Sequence, residues 1–160
     1  MTAQVSDQLA LDHPGLSLGE WRLYAVIGGH PDKSNHGWGE GRPYKSEPGE
    51  APWRTTANWK GYIIHFRLKT DGRLVLEYFR YDTPGIPTRH CGEILEGDFY
   101  LVLKSTFQGP RLYIPFQHGI INLDQKAWLH EVYIGNSPIA TELRAGCHPD
   151  FPSRARLWYE

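Results

Sequence analysis

The sequence predicts an all-β domain: an antiparallel sandwich or an up-and-down, lipocalin-like barrel, with a long Gly/Pro-rich loop near residues 28–58. Three observations predict it. Aromatic residues make up 13% of the chain, as six Trp, nine Tyr and six Phe, and large rings pack well on a pleated surface. Several short segments alternate apolar and polar residues, and no long segment carries helical spacing. Twelve Pro and seventeen Gly suit a chain that turns often. At 160 residues the chain suits one domain with its own core.

The elements follow in order. Residues 1–19 are polar and irregular, and a loosely structured segment is expected there. At most one short helical turn falls over 4–11, with Leu9 and Leu11 docking on the body. Residues 20–27 read as a strand, with Trp21, Leu23 and Ala25 on one face and Arg22, Tyr24 and Val26 on the other. Residues 28–58 show no periodicity, yet hold Trp38, Tyr44 and Trp53. Connections this long are uncommon in compact domains and are often functional. Large aromatics gain only by burial, so the stretch reads as an ordered binding loop and not as a linker.

Residues 59–81 read as a hairpin. A three-residue loop, Thr70-Asp71-Gly72, pairs Leu68 with Leu74, Phe66 with Leu76 and Ile64 with Tyr78. Arg67, Val75, His65, Glu77, Lys69 and Arg73 then share the opposite face. A two-residue loop would mix the faces, because a one-residue slip turns every side chain over. Gly72 takes the left-handed position of a G1 bulge. Further strands are expected at 98–105, 111–116, 128–134, 139–144 and 154–159, with Asn136-Ser137-Pro138 as a turn.

Charge and composition narrow the function. Seventeen basic and eighteen acidic residues give a net charge of −1 with no basic cluster, so no nucleic-acid partner is expected. Residues 1–15 lack the pattern of a signal peptide, and no apolar run approaches the ~20 residues that span a bilayer. No membrane association is therefore expected, and the chain reads as cytoplasmic. Cys91 and Cys147 read as reduced thiols that are not joined to each other.

The run Thr55-Thr56-Ala57-Asn58-Trp59-Lys60-Gly61-Tyr62 resembles the T-A-N-W-[R/K]-G-Y signature of a family of uncharacterised small bacterial β-proteins. Residues 108–115 (QGPRLYIP) and 130–135 (HEVYIG) resemble softer features of the same proteins. The resemblance implies a bacterial β domain and carries over no catalytic residue.

Candidate sites are weighed against plainer readings. His30, Asp32, His36 and His148 are residue types that suit a metal, but their spacing matches no standard ligand pattern, and His-Pro-Asp reads as turn chemistry. His90-Cys91 and Cys147-His148 place neighbours on opposite sides of an extended chain, which hinders a shared zinc ion. No metal and no cofactor are expected, and the catalytic residues are unknown. His65 and Glu77 should face each other across the hairpin as a polar surface pair. Asn58 should turn the chain into its strand through its side chain, Gly61 marks a bulge or close approach, and Trp59 and Tyr62 read first as core.

The reading that follows is a non-enzymatic protein-binding module, of accessory, inhibitor or immunity type. Its surface is assigned to Trp38, Arg42, Tyr44, Trp53, Arg54 and Trp59, because interfaces draw on Trp, Tyr and Arg anchors. The alternatives are a lipocalin-like barrel for a small apolar ligand, or a small β enzyme using His30, His36, His65 or His118 in a pocket. Oligomeric state and strand order are open at this point.

Overall fold

A computed structural model describes residues 6–31, 42–46, 58, 61–105, 109–134, 137–146 and 156–157, with backbone alone at 132–142 and 156–157. Among these residues the chain is nearly all β. It forms β1 (Gln8–Leu11), β2 (Leu16–Ser17), β3 (Arg22–Gly28), β4 (Tyr62–Leu68), β5 (Leu74–Tyr81), β6 (Arg89–Ile94), β7 (Phe99–Lys104), β8 (Arg111–Gln117), β9 (Ile120–Ile121), β10 (Leu129–Ile134), β11 (Ser137–Ala145) and β12 (Arg156–Leu157). One 3-10 turn covers Gln125–Ala127. Among the described residues no helix is long and apolar enough to cross a membrane.

Two main sheets form, and neither closes into a barrel. The first runs β1-β4-β5-β6 and the second β11-β10-β8-β7-β3, with β9 added to β8; β12 pairs with β2 apart from both. The sheets share one core. Ile64, Phe66, Leu68, Leu74, Leu76 and Phe79 of the first meet Leu23, Val26, Phe99, Leu101, Leu103, Leu112, Ile114 and Phe116 of the second. Phe99 and Phe116 stack with centroids 4.5 Å apart. Each fully buried side chain of this kind contributes about 1.5–3 kcal/mol, so the sheet-to-sheet contact dominates stability. A smaller cluster of Ile27, Val102 and Tyr113 lies on the other face of the second sheet.

The hairpin register holds near its turn and shifts beyond it. Leu68 pairs with Leu74 and Phe66 with Leu76, as the apolar pattern requires. Lys69 N–H donates to Arg73 O at 2.9 Å, closing the three-residue loop, and Gly72 has φ +87°. A Cβ on Gly72 would also sit 3.1 Å from Ile120 Cγ2. Further along, Glu77 is a bulged residue with no partner on β4. Ile64 therefore pairs with Phe79, not Tyr78, and His65 faces Tyr78, not Glu77. The extra residue turns the faces over, so Phe79 enters the core at 0% exposure.

A bulge corrects β3 in the same way. Tyr24 is skipped between Leu23 and Ala25 in the pairing with β7. Val26 thus joins Trp21 and Leu23 in the main core, while Ala25 packs on the opposite face.

The N-terminal segment is also more ordered than its polarity suggests. β1 lies parallel to β4, with Leu9 beside Phe66 and Leu11 beside Leu68. Asp12 N–H donates to Leu68 O at 2.9 Å, and Ile64 N–H donates to Asp7 Oδ1 at 2.9 Å. The helical turn expected over 4–11 gives way to this strand, and the sheet is not purely antiparallel. Two leucines two residues apart fit a strand, but four residues are too few to show a period.

β6 was not expected at all. Of the late strands, β7, β8, β10 and β11 fall where the alternation places them, while Arg156–Leu157 is the described part of the last. Ser137 and Pro138 already belong to β11, and Asn136 lies outside the described residues.

Candidate functional site

The long connection between β3 and β4 is held at its described points by the first sheet. Its exit is built around Asn58, which is 3% exposed. Gly61 N–H donates to both the backbone oxygen of Asn58 at 3.1 Å and its Oδ1 at 3.2 Å. Asn58 Nδ2 donates to Asp82 Oδ2 at 2.8 Å, and Asp82 N–H donates back to Gly61 O at 3.1 Å. Gly61 has φ +78°, where a side chain would be strained. The turn role read for Asn58 is what the geometry gives. Its bond to Asp82 adds a tie to the end of β5.

Residues 42–46 dock in the middle of the connection. Tyr44 is buried in the main core and meets the ring of Phe66 edge-on, with centroids 6.0 Å apart. Arg42 lies 5.9 Å from the Tyr44 ring centroid, and its Nη1 donates to Tyr62 Oη at 3.1 Å. Tyr62 is itself core, at 8% exposure. The next two residues are clamped by one carboxylate. Lys45 N–H donates to Glu93 Oε2 and Ser46 N–H to Glu93 Oε1, each at 2.8 Å. Hydrogen bonds to a charged acceptor each contribute about 1.5–3 kcal/mol, less where water competes.

This clamp is visible in the acidity of Glu93. Partial burial pushes its carboxyl up. Hydrogen bonds from the Ser46 side chain and the Lys45 and Ser46 backbone, together with the Lys45 charge, outweigh that and hold it below the ordinary value.

Of the residues assigned to a binding surface, Arg42 and Tyr44 are brought together here. Trp38, Trp53, Arg54 and Trp59 lie outside the described residues. Glu93 and Asp82, which fix the loop, were not among the residues singled out. Glu93 is bonded chiefly by backbone N–H groups, and Asp82 by an amide 24 residues away, so no local sequence pattern marks either.

The described candidate histidines do not converge on one site. His65 stacks on Tyr78 with centroids 4.1 Å apart, and His90 follows at 5.5 Å from Tyr78. His65 Nε2 is buried without a hydrogen-bond partner. Burial and the Arg80 charge lower its pKa, against smaller opposing effects of Glu77 and Asp7. The expected His65–Glu77 pair is replaced, because Glu77 accepts from Arg67 Nε at 3.1 Å. His30 lies edge-on to Tyr100 at 6.4 Å. His118 takes φ +52° in the β8–β9 turn, where its N–H donates to Asp98 Oδ1 at 3.0 Å.

Among the described residues no group of three His, Cys, Asp or Glu is placed to hold a metal ion. Asp32, His36, Cys147 and His148 lie outside them. Cys91 is a free, partly buried thiol whose pKa is raised chiefly by burial, which disfavours the nucleophilic thiolate. No family model, curated protein or solved structure matches the chain.

Proposed function

We propose that this chain is a non-enzymatic protein-binding module of accessory, inhibitor or immunity type, and that the 28–58 connection carries its binding surface. The observation that supports this most is the anchoring of the connection at mid-length. Tyr44 is sunk into the core, and Glu93 holds two successive backbone N–H groups. A loop ordered before contact loses less entropy on docking, so more of its contact energy appears as affinity. In this reading Tyr44 and Arg42 are the anchor. Trp38, Trp53, Arg54 and Trp59 are the residues offered to a protein partner.

The lipocalin-like alternative draws less support. The sheets are not closed, and the described inward side chains bury one another across the core, which suits a sandwich better than a ligand-holding barrel. The enzyme alternative draws less support, because His65 stacks on Tyr78 and Glu77 accepts from Arg67 instead.

Site-specific photo-crosslinking in the native cell tests the proposal. A crosslinker at Trp38 or Arg54 is expected to yield one discrete protein adduct, and the same group at Arg89 on β6 none. Equal labelling from all three positions, or no adduct from the loop, overturns it.

A further inference from the structure

The turn between β4 and β5 contains a chemically labile bond. Asp71 is the one aspartate in the chain that is followed by glycine, and no asparagine precedes glycine. The amide nitrogen after an aspartate can attack the side-chain carboxyl carbon. A carbon–nitrogen bond forms, one water leaves, and a succinimide ring results. Water then adds back at either ring carbonyl, which returns aspartate or gives isoaspartate. No oxidant, reductant or cofactor is needed. Glycine in second place favours the attack, because no Cβ crowds its nitrogen. The Asp71 side chain is 60% exposed, so its carboxyl is in contact with water.

The folded turn engages both reacting groups. Gly72 N–H donates to Lys69 O at 3.0 Å, so the attacking nitrogen is held in a hydrogen bond. Asp71 Oδ1 accepts from Arg73 N–H at 3.1 Å, and its Oδ2 lies 3.8 Å from Arg73 Nε.

The β8–β9 hairpin of the other sheet closes over the same glycine. Ile121 N–H donates to Gly72 O at 3.0 Å, and Ile120 bridges Arg73. A Cβ on Gly72 would lie 3.1 Å from Ile120 Cγ2 and 3.4 Å from Ile121 Cγ2, so the peptide has little space to turn. The hairpin is itself tied down. His118 N–H donates to Asp98 Oδ1 at 3.0 Å, and Gly119 N–H to Gly97 O at 2.8 Å.

We infer that Asp71-Gly72 is the chain's site of isoaspartate formation, and that the β8–β9 hairpin is the latch that sets its rate. The reaction runs when the hairpin lifts and frees the Gly72 peptide, an opening smaller than global unfolding. The product does not return to the latched state. Isoaspartate adds a carbon to the main chain inside a three-residue loop, which Lys69 N–H closes by donating to Arg73 O at 2.9 Å. That closure sets Leu68 opposite Leu74, and register depends on the turn.

Peptide mapping of the whole chain, aged at pH 7.4 and 37 °C, tests this, with isoaspartate located by electron-transfer fragmentation. Isoaspartate is expected at residue 71, forming at least about tenfold more slowly in the folded chain than in concentrated urea. Ile120→Ala trims the latch at an exposed side chain and should raise the folded rate about threefold or more, with the rate in urea unchanged. Amide exchange at Ile121 should rise in step with it. Tyr113→Phe weakens the fold away from the turn and should leave the folded rate unchanged. Asp71→Glu should abolish the modified peptide, because its attack would have to close a larger ring. Isoaspartate at other positions and not at 71, equal rates in folded and urea-treated chains, or equal acceleration by Ile120→Ala and Tyr113→Phe overturns the inference.

Discussion

Glu93 and Glu131 each bond main-chain groups, one in each sheet, and do different work. Each accepts from backbone N–H groups beyond its own strand. Glu93 lies on the edge strand β6, half-buried, and ties down a connection. Glu131 lies on the interior strand β10, is 6% exposed, and bonds a buried phenol and the start of β8. The difference teaches that the surroundings of a carboxylate, more than its bond count, set what it contributes. Groups released by Glu93 can turn to water. Groups released by Glu131 cannot.

The comparison can be broken by removing each acid. Glu131→Ala should cost about 3–5 kcal/mol in urea unfolding, because it removes a buried carboxylate that accepts from the buried Tyr113 hydroxyl and lies beside Arg111. Tyr113→Phe removes only the buried donor and should cost about 1–1.5 kcal/mol. Its hydroxyl is held protonated by burial and by the Glu131 charge, so no titration of Tyr113 should appear before alkaline unfolding. Glu93→Ala should cost about 1 kcal/mol or less, since exposed replacements find water, while amide exchange at Lys45 and Ser46 accelerates well beyond the global change. Equal costs for the two alanine variants would remove the distinction.

Acidity sharpens it further. The native pKa of Glu93 lies below its ordinary 4.5, so its contribution is fully present above about that pH and fades as pH falls through the native value. The stability gap between wild type and Glu93→Gln should therefore narrow below about pH 4.5. His65 acts in a separate window. Its native pKa lies below 6.5, so the unfolded chain binds the proton first and stability declines as pH drops from about 6.5. His65→Gln should flatten that decline in chemical denaturation.

The smallest effect belongs to Arg67→Ala. Arg67 bridges Asp12 at 2.8 Å and Glu77 at 3.1 Å, but its side chain is 37% exposed. The urea unfolding midpoint is expected to stay nearly unchanged.

The strands that were legible in the sequence are those whose inner face is buried without interruption. Leu101, Leu103, Leu112 and Ile114 alternate cleanly, and so do Phe66, Leu68, Leu74 and Leu76. Bulges were not legible, since one extra residue at Tyr24 or Glu77 alters geometry without altering composition. β6 reads RHCGEI, with Gly92 at φ +66° and most side chains exposed, so no alternation announces it. The candidate site was half legible. Tyr44 could be singled out because an aromatic in a polar stretch needs a reason. Glu93 could not, because it is held chiefly by the Lys45 and Ser46 main-chain N–H groups, which every residue but proline possesses.

The parallel pairing of β1 with β4 has a consequence for how the chain is made. Asp7 and Ile64, which bond across that pair, are 57 residues apart. During synthesis at roughly 5–20 residues per second, the first strand emerges about 3–11 s before its partner. Over that interval Leu9 and Leu11 have no sheet to join, while β2 and β3 follow them out. Strand β1 is thus placed later than its order along the chain implies, added to an edge supplied by β4 of the β4–β5 hairpin.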